Sequence, residues 1–365
     1  MKITLVIPSM GCGGAERVMS IIANYWASRG EDTVLITFYS ADSDFYTLDP
    51  RVKRVSLGFK YKKSLTTLAA IKNNYIRIRS LRKAIKETRP EVVLSFMDTM
   101  NVTTLIATLG LSLPIIISDR IDPRELPPNG MWKLLRRWTY SWASAVVILT
   151  EELRSVLGEL VSNDRLHVVP NPALPVPENL DAKSPFDLPL PFVVAMGRLC
   201  PQKGFDLLLD AFARCKQVSW SLVILGEGPE REHLESLTKQ LGLGSRVHLP
   251  GNISEPSVIL HRSGLFVLSS RFEGFPNALV EAMCCGLPVV SFDCPTGPHD
   301  IIRDGHDGIL VSLGDVDALA TEMDRLMGDE KERKRLGDQA RNVTEKFSTE
   351  EVIKKWDRVI DGVLK

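Results

Sequence analysis

Three stretches of this chain place reactive residue types at spacings that suit chemistry on a phosphorylated ligand. Gly197-Arg198-Leu199-Cys200-Pro201-Gln202-Lys203-Gly204 sets two cations between two glycines, directly after the apolar run Phe192 to Met196. If that run is a strand, both cations lie at its carboxyl end and can converge on a diphosphate. The competing reading is a pair of solvated surface charges. The second stretch, Ser270-Arg271-Phe272-Glu273-Gly274-Phe275-Pro276-Asn277-Ala278-Leu279-Val280-Glu281-Ala282-Met283, contains two carboxylates. Pro276 suits the first turn of a helix, so Gly274 to Ala278 should offer free backbone amides. Glu273 would reach a sugar, and Glu281 would accept two hydroxyls of a ribose. Glu281 also fits a solvated helix residue, but on an otherwise apolar helix a partner is expected. The third stretch, Gly11-Cys12-Gly13-Gly14-Ala15-Glu16-Arg17, lies between a first strand and a first helix, where unpaired amides favour a phosphate. A tight turn with no ligand explains it too, since it fails the G-x-G-x-x-G spacing.

Other chemistries find little support. The six cysteines and six histidines form no C-x-x-C or H-E-x-x-H spacing, so reduced, packed thiols and no metal site are expected. Asp315-Val316-Asp317 follows Gly314 at the start of a helical pattern and reads as an N-cap rather than a metal ligand. Phe38-Tyr39-Ser40 stands where a dinucleotide enzyme holds ribose with an acid, which argues against an NAD-dependent oxidoreductase. A non-catalytic nucleotide-sugar or anion binder, and a nucleotide-sugar epimerase, both stay open.

The elements that must position these groups alternate strand and helix, twice over. In residues 1–170, strands are expected at Ile3 to Pro8, Thr33 to Phe38, Val92 to Phe96, Pro114 to Ser118 and Ala145 to Leu149. Helices are expected at Ala15 to Ser28, Leu65 to Lys86 and Pro127 to Ser141. The stretch Pro170 to Pro191 carries seven of the 22 prolines and reads as the connection, placing a linker at 171–191. A second unit over 192–348 has strands at Phe192 to Met196, Ser221 to Leu225, Arg246 to Leu249, Gly264 to Leu268 and Pro288 to Phe292. A last helix, Thr349 to Leu364, would cross back to the first unit. The architecture is α/β: two Rossmann-like, doubly wound parallel-sheet domains facing an interdomain cleft. No apolar run reaches the ~18 residues of a membrane span, and the N-terminus lacks a signal-peptide cleavage site. A cytoplasmic protein is expected.

Residues 197–204 together with Glu273-Gly274-Phe275-Pro276-Asn277 and Glu281 resemble the GT-B glycosyltransferases of family 4. The resemblance implies that Arg198 and Lys203 bind the donor diphosphate, that Glu273 lies by the donor sugar and that Glu281 holds the ribose. Arg198, Lys203 and Glu273 would be the catalytic set. Gly226-Glu227-Gly228-Pro229 and Pro250-Gly251 match the same nucleotide-binding domain, with Gly226 and Glu227 among the donor contacts and Pro250-Gly251 near the base. Gly197 and Gly274 to Asn277 complete those contacts, and Gly13 and Gly14 match the family's loop beside the phosphates. The likeness covers nearly the whole chain. It is greatest to bacterial transferases that build lipid-linked oligosaccharides, exopolysaccharide and O-antigen, including the PglH-type N-acetylgalactosaminyltransferases. It implies retention of anomeric configuration, a UDP-sugar as co-substrate and no metal or other cofactor. The sugar moved would be an N-acetylhexosamine such as GalNAc, or a hexose such as galactose. One departure stands out: many members carry a His where Ser118-Asp119-Arg120-Ile121-Asp122-Pro123 places Arg120.

Charge points to the other substrate. Net charge is zero, but residues 1–180 carry 23 basic against 17 acidic groups, and Lys60 to Arg89 alone holds ten cations and one acid, Glu87. Leu65, Leu68, Ala69, Ile76 and Leu81 make an apolar stripe among Lys72, Arg77, Arg79, Arg82, Lys83 and Lys86. Such a helix suits an anionic membrane at the inner face of the plasma membrane, or the pyrophosphate of an undecaprenyl-linked acceptor. It also fits an ordinary cation-rich surface helix. Lys72, Arg77, Arg79 and Arg82, with Asp119, Arg120 and Arg124 of the later loop, are the expected acceptor contacts. Nucleic acid is not expected, since the chain has no reader motif.

Overall fold

The computed structural model describes residues 1–60, 66–124, 130–173 and 190–365. Most of the proline-rich connection, and the expected helix starts at Leu65 and Pro127, lie outside the described residues. The chain forms two units: Met1–Pro172 with Thr349–Lys365, and Ala173–Ser348.

The first unit has seven parallel strands: β1 (Lys2–Ile7), β2 (Asp32–Thr37), β3 (Lys53–Ser56), β4 (Val92–Phe96), β5 (Ile115–Ser118), β6 (Ala145–Ile148) and β7 (Leu166–Val168). They are ordered β3-β2-β1-β4-β5-β6-β7. Leu5 pairs with Leu35 on one side and Leu94 on the other. Central strands covered on both faces read as unbroken apolar runs, which is why β1 and β4 stand out in the sequence. Helices α1 (Gly14–Ser28), α2 (Thr67–Thr88), α3 (Asp98–Thr108), α4 (Gly130–Thr139) and α5 (Leu153–Leu157) connect them. One core packs Ile22 and Trp26 of α1 against the sheet; the other packs Leu81 and Ile85 of α2 with Leu105 of α3 and Tyr140 just past α4. Thr66 caps α2 by accepting the Ala69 amide at 3.2 Å.

The second unit has six parallel strands: β8 (Phe192–Met196), β9 (Ser221–Leu225), β10 (Val247–Gly251), β11 (Leu265–Leu268), β12 (Val289–Asp293) and β13 (Ile309–Ser312), ordered β10-β9-β8-β11-β12-β13. Its helices are α6 (Phe205–Arg214), α7 (Arg231–Gln240), α8 (Pro256–Arg262), α9 (Asn277–Cys284), α10 (Pro298–Ile301), α11 (Val316–Gly328), α12 (Glu330–Ala340) and α13 (Val343–Lys346). Asp315 caps α11, its carboxylate accepting the Ala318 amide at 2.9 Å. The last helix, α14 (Thr349–Leu364), belongs to the first unit. Its Val352, Ile353, Trp356 and Ile360 join the core beside α1, and the Trp356 ring stacks on Phe96 at 5.9 Å. Two doubly wound sheets are therefore present, as the alternating pattern predicts. Elements that did not show in that pattern include β3, β7, β13, α3 and α5.

Candidate functional site

In an open parallel sheet, ligands bind beyond the carboxyl ends of the strands, where the strand order reverses and the two exit loops diverge. The second sheet reverses between β8 and β11. The Arg198–Lys203 loop leaves β8 and the Ser269–Pro276 loop leaves β11, so the two strongest sequence motifs arrive at one crevice.

Hydrogen bonds fix these loops to each other. The Arg271 amide donates to Gln202 O at 2.8 Å, the Gln202 amide group to Phe272 O at 3.0 Å and the Ser269 hydroxyl to Lys203 O at 2.9 Å. Arg271 grips Asp206 of α6 with two bonds of 2.8 and 2.6 Å. Burial works against the Asp206 charge, but that guanidinium holds its carboxyl below the ordinary range. Close backbone approach demands glycine at two points. Gly204 has φ +60°, and a Cβ there would stand 2.1 Å from Ser269 O. Gly226 has φ +141°, with Gly197 O at 2.0 Å from the same imagined atom.

Lys203 and Glu273, 70 positions apart, form an ion pair at 2.6 Å. Glu273 is only 4% exposed and also accepts the Ser270 hydroxyl at 2.6 Å. Thr296 donates its hydroxyl to the Glu273 carbonyl. A carboxylate this deep needs a counter-ion, and Lys203 supplies it. Lys203, expected at the diphosphate, and Glu273, expected at the sugar, therefore also fix each other. Lys203 retains two further N–H donors. Arg198 is exposed and forms no ion pair among the described residues. The expected helix start is also corrected: α9 begins at Asn277, because Pro276, with ψ 82°, is not helical and stands as N-cap, and the Asn277 amide, expected free, donates to Phe275 O at 2.9 Å. The amides of Gly274, Phe275 and Ala278 have no acceptor among the described residues. Glu281 is half-buried and engaged by a partner.

Around this centre, Gly226 donates its amide to Gly251 O at 2.9 Å, joining the ends of β9 and β10, and Pro250 precedes that residue in β10. Glu227 is held by Arg231 at 2.6 and 2.8 Å, an ion pair that lowers its pKa. Ser270, Thr296 and Gln202 carried no signal of their own beyond nearness to motif residues.

In the first unit the loop at Gly13 and Gly14 begins α1, with Gly13 as N-cap. A Cβ on Gly13 would lie 2.2 Å from a Glu16 carboxylate oxygen. Burial raises the Glu16 pKa, against hydrogen bonds from its own amide and Ser9. The loop thus holds one of the chain's own carboxyl groups where a phosphate was expected.

The expected acceptor residues divide. Lys72 and Arg79 are exposed on α2. Arg77 lies 5.9 Å from the rings of both Phe38 and Phe59 and helps line a cavity of about 310 Å³ with Pro8, Tyr39, Asn74, Thr103 and Trp132. Of that lining, Pro8 directly follows β1 and Thr99 comes three residues after β4, the strands between which the first sheet reverses. Arg82 is a correction: it donates to Ala107 O and Leu109 O at 2.7 and 2.8 Å, capping the end of α3. Asp119 is another, being 3% exposed, paired with Arg136 at 2.5 Å and bonded by the Tyr140 hydroxyl at 2.7 Å. Arg124 is tied to the buried Asp122 and to Glu152 at 2.6 and 2.8 Å. Burial and pairing make Asp119 structural, while Arg82 on α2 and the exposed Arg124 are engaged by partners of their own within the first unit. Arg120 is buried as well, stacked 4.2 Å over Phe96 and donating to Ser118 Oγ and Asn171 Oδ1. Burial lowers its pKa to about 9, against the pull of Asp119.

Asp98 was not foreseen. It follows Met97, whose φ of +78° is strained for a residue with a Cβ, and it opens α3 at the carboxyl end of β4. Burial, then the nearby Asp119 charge, raises its pKa to about 6, while Arg136 and the Tyr140 hydroxyl oppose the rise. Among the described residues no group of three or more His, Cys, Asp or Glu side chains is placed to hold a metal ion, and no helix is long and apolar enough to cross a membrane.

Two Rossmann-like parallel-sheet units, the second with cations, a buried glutamate and free amides at its switch point, define the GT-B class of glycosyltransferases. Residues 12–173 match the family model described as Glycosyltransferase Family 4, and residues 177–343 the one described as Glycosyl transferases group 1. A Campylobacter jejuni enzyme, GalNAc-alpha-(1->4)-GalNAc-alpha-(1->3)-diNAcBac-PP-undecaprenol alpha-1,4-N-acetyl-D-galactosaminyltransferase, is 30% identical, the alignment spanning 100% of this chain and 99% of that one. Among solved structures, sucrose-phosphate synthase of Thermosynechococcus elongatus superposes with TM-score 0.85 at 17% identity, over 98% of each chain. Anabaena HepE in complex with UDP superposes at 0.81 with 19% identity, over 99% of this chain and 100% of that one. The chain belongs to glycosyltransferase family 4 and is a glycosyltransferase.

Proposed function

We propose that this enzyme moves a sugar from a UDP-sugar to a polyprenyl-diphosphate-linked oligosaccharide, with retention, at the inner face of a bacterial plasma membrane. The observation that carries the reading is the second unit's switch point. There Arg198, Lys203 and the amides of Gly274, Phe275 and Ala278 offer positive potential to one diphosphate. As the bond from the anomeric carbon to the diphosphate breaks, its electron pair goes to the phosphate oxygen. The acceptor hydroxyl adds to the same face of the sugar, and its proton passes to the departing phosphate. Preorganised donors of this kind are worth about 3–4 kcal/mol each at a developing oxyanion. No step requires a metal. Glu273, held by Lys203 and Ser270, borders the sugar, and Glu281 the ribose. The C. jejuni relative's name specifies an undecaprenyl-diphosphate-linked acceptor and N-acetylgalactosamine, which supports both the acceptor class and a hexosamine donor. Arg77 and the cavity beside it are the acceptor-side candidates.

Calorimetric titration with UDP tests the donor site. Loss of one charge-assisted contact worth about 1.5–3 kcal/mol predicts a tenfold to hundredfold weaker Kd for Arg198→Ala and for Lys203→Ala. Unchanged UDP affinity in both proteins would remove the assignment.

A further inference from the structure

The described residues expose sixteen large apolar side chains, and half of them sit on two helices of one layer. Leu68, Ile71, Tyr75 and Ile76 lie on α2, and Met131, Leu134, Trp138 and Trp142 on α4 and the turn that continues it. Both helices pack on α3, on the same side of the first sheet.

Helix α4 is apolar on two faces. Its inner face turns Trp132 and Leu135 toward the core. Met131, Leu134 and Trp138, three and four positions apart, form a separate outer stripe. Trp138 is 62% exposed and Trp142 47%. Nothing among the described residues covers them. A globular protein gains nothing in water from two exposed indoles on one stripe. The flanking charges are all of one sign: Lys133 and Arg137 are exposed, and α4 contains no acid. On α2 the first buried residue is Leu81, so its opening turns stand clear of the core with Lys72 and Arg79 beside the apolar side chains.

We propose that α4 is a membrane-docking element. Trp138, Trp142, Leu134 and Met131 enter the headgroup boundary of an anionic bilayer, while Lys133 and Arg137, with Lys72 and Arg79 of α2, meet lipid phosphates. Indole rings favour that boundary because one edge is apolar and the other donates a hydrogen bond. Cations near an anionic leaflet add attraction that salt screens. The charge pattern selects a bilayer over a second copy of this chain, whose matching face would carry the same cations. The inference deepens the lipid-linked acceptor reading and rests on it for its biological sense. Its test is separate, because UDP titration reports on the donor site alone.

The test is co-sedimentation of the full chain with vesicles of phosphatidylcholine alone, or mixed with phosphatidylglycerol, alongside tryptophan emission with brominated lipid. The expected result is partitioning that rises at least tenfold with the anionic lipid and falls with salt, with a blue shift and bromine quenching. Trp138→Ser with Trp142→Ser should lower partitioning at least tenfold and remove most of the quenching, and Lys133→Glu with Arg137→Glu should abolish the preference for anionic lipid. An unchanged far-ultraviolet circular dichroism spectrum and urea unfolding midpoint in these variants establish that the first unit, which carries them, is folded. Val218→Ser, an exposed apolar site in the second unit, should leave partitioning unchanged. Equal partitioning of the double serine variant, or a dimer in sedimentation velocity that the serine pair dissociates, would overturn the proposal.

Discussion

Removing Lys203 should unbalance the second unit more than removing the glutamate it faces. The Lys203 side chain is 18% exposed and that of Glu273 5%. Lys203→Met leaves a carboxylate in the interior with the Ser270 hydroxyl as its remaining side-chain donor at 2.6 Å. Breaking a fully buried pair from one side costs about 3–5 kcal/mol. The surviving hydroxyl bond and the lysine's partial solvation reduce this to about 2–4 kcal/mol. Glu273→Gln, by contrast, leaves an ammonium that reaches water and a neutral group that still accepts from it, a loss of about 1–2 kcal/mol. The double variant should be more stable than the sum of the two single losses by at least about 1 kcal/mol, since it removes both charges. Urea unfolding of the four proteins, compared at unchanged m-value, measures each quantity. If Lys203→Met falls within about 0.5 kcal/mol of the parent, or if Glu273→Gln is the more damaging change, the account of this pair is wrong.

Other consequences are as direct. Gly226→Ala puts a methyl where Gly197 O stands 2.0 Å away, so unfolding should be easier by more than about 2 kcal/mol and UDP binding should weaken, both read on purified protein. Asp98, raised to about 6 by burial and by Asp119, binds its proton more tightly folded than unfolded. Its contribution is fully present below the unfolded value and lost as pH climbs through 6. That is about 3 kcal/mol across the window. A thermal-shift series from pH 4 to 8 should show a slope that Asp98→Asn flattens; an identical slope in the variant would contradict it. Asp315→Ala removes the α11 cap and should cost about 1 kcal/mol by urea titration without altering UDP affinity.

What could be read from the chain follows physical rules. The runs Phe192–Met196 and Ser221–Leu225 are covered on both faces and so are apolar throughout, which made the strands and their carboxyl ends plain. Arg198 and Lys203 were then located by where the first of those strands stops, and Glu273 by the helix start that Pro276 marks. β3, Lys53-Arg54-Val55-Ser56, is a half-exposed edge strand with no such run, and β7 has only three residues. α3 hid behind its threonines: Thr103 and Thr108 donate to carbonyls four residues earlier at 2.6 and 2.8 Å, in a segment of weak helix propensity. The pairing of Lys203 with Glu273 spans 70 positions, a separation no local pattern encodes. The burial of Asp119 and the capping role of Arg82 were not legible because a linear pattern shows charge but neither depth nor partners on other elements.

The return of α14 to the first unit has a consequence for how the molecule is made. The core face beside α1 lacks Trp356 and its neighbours until the chain beyond Thr349 exists. Through synthesis of all 176 residues of the second unit, Ala173–Ser348, the nascent first unit therefore carries an open apolar trough over Phe96 and Trp26. That interval is when an unrelated sticky segment would find purchase, and it makes residues 1–172 an incomplete fragment to express alone.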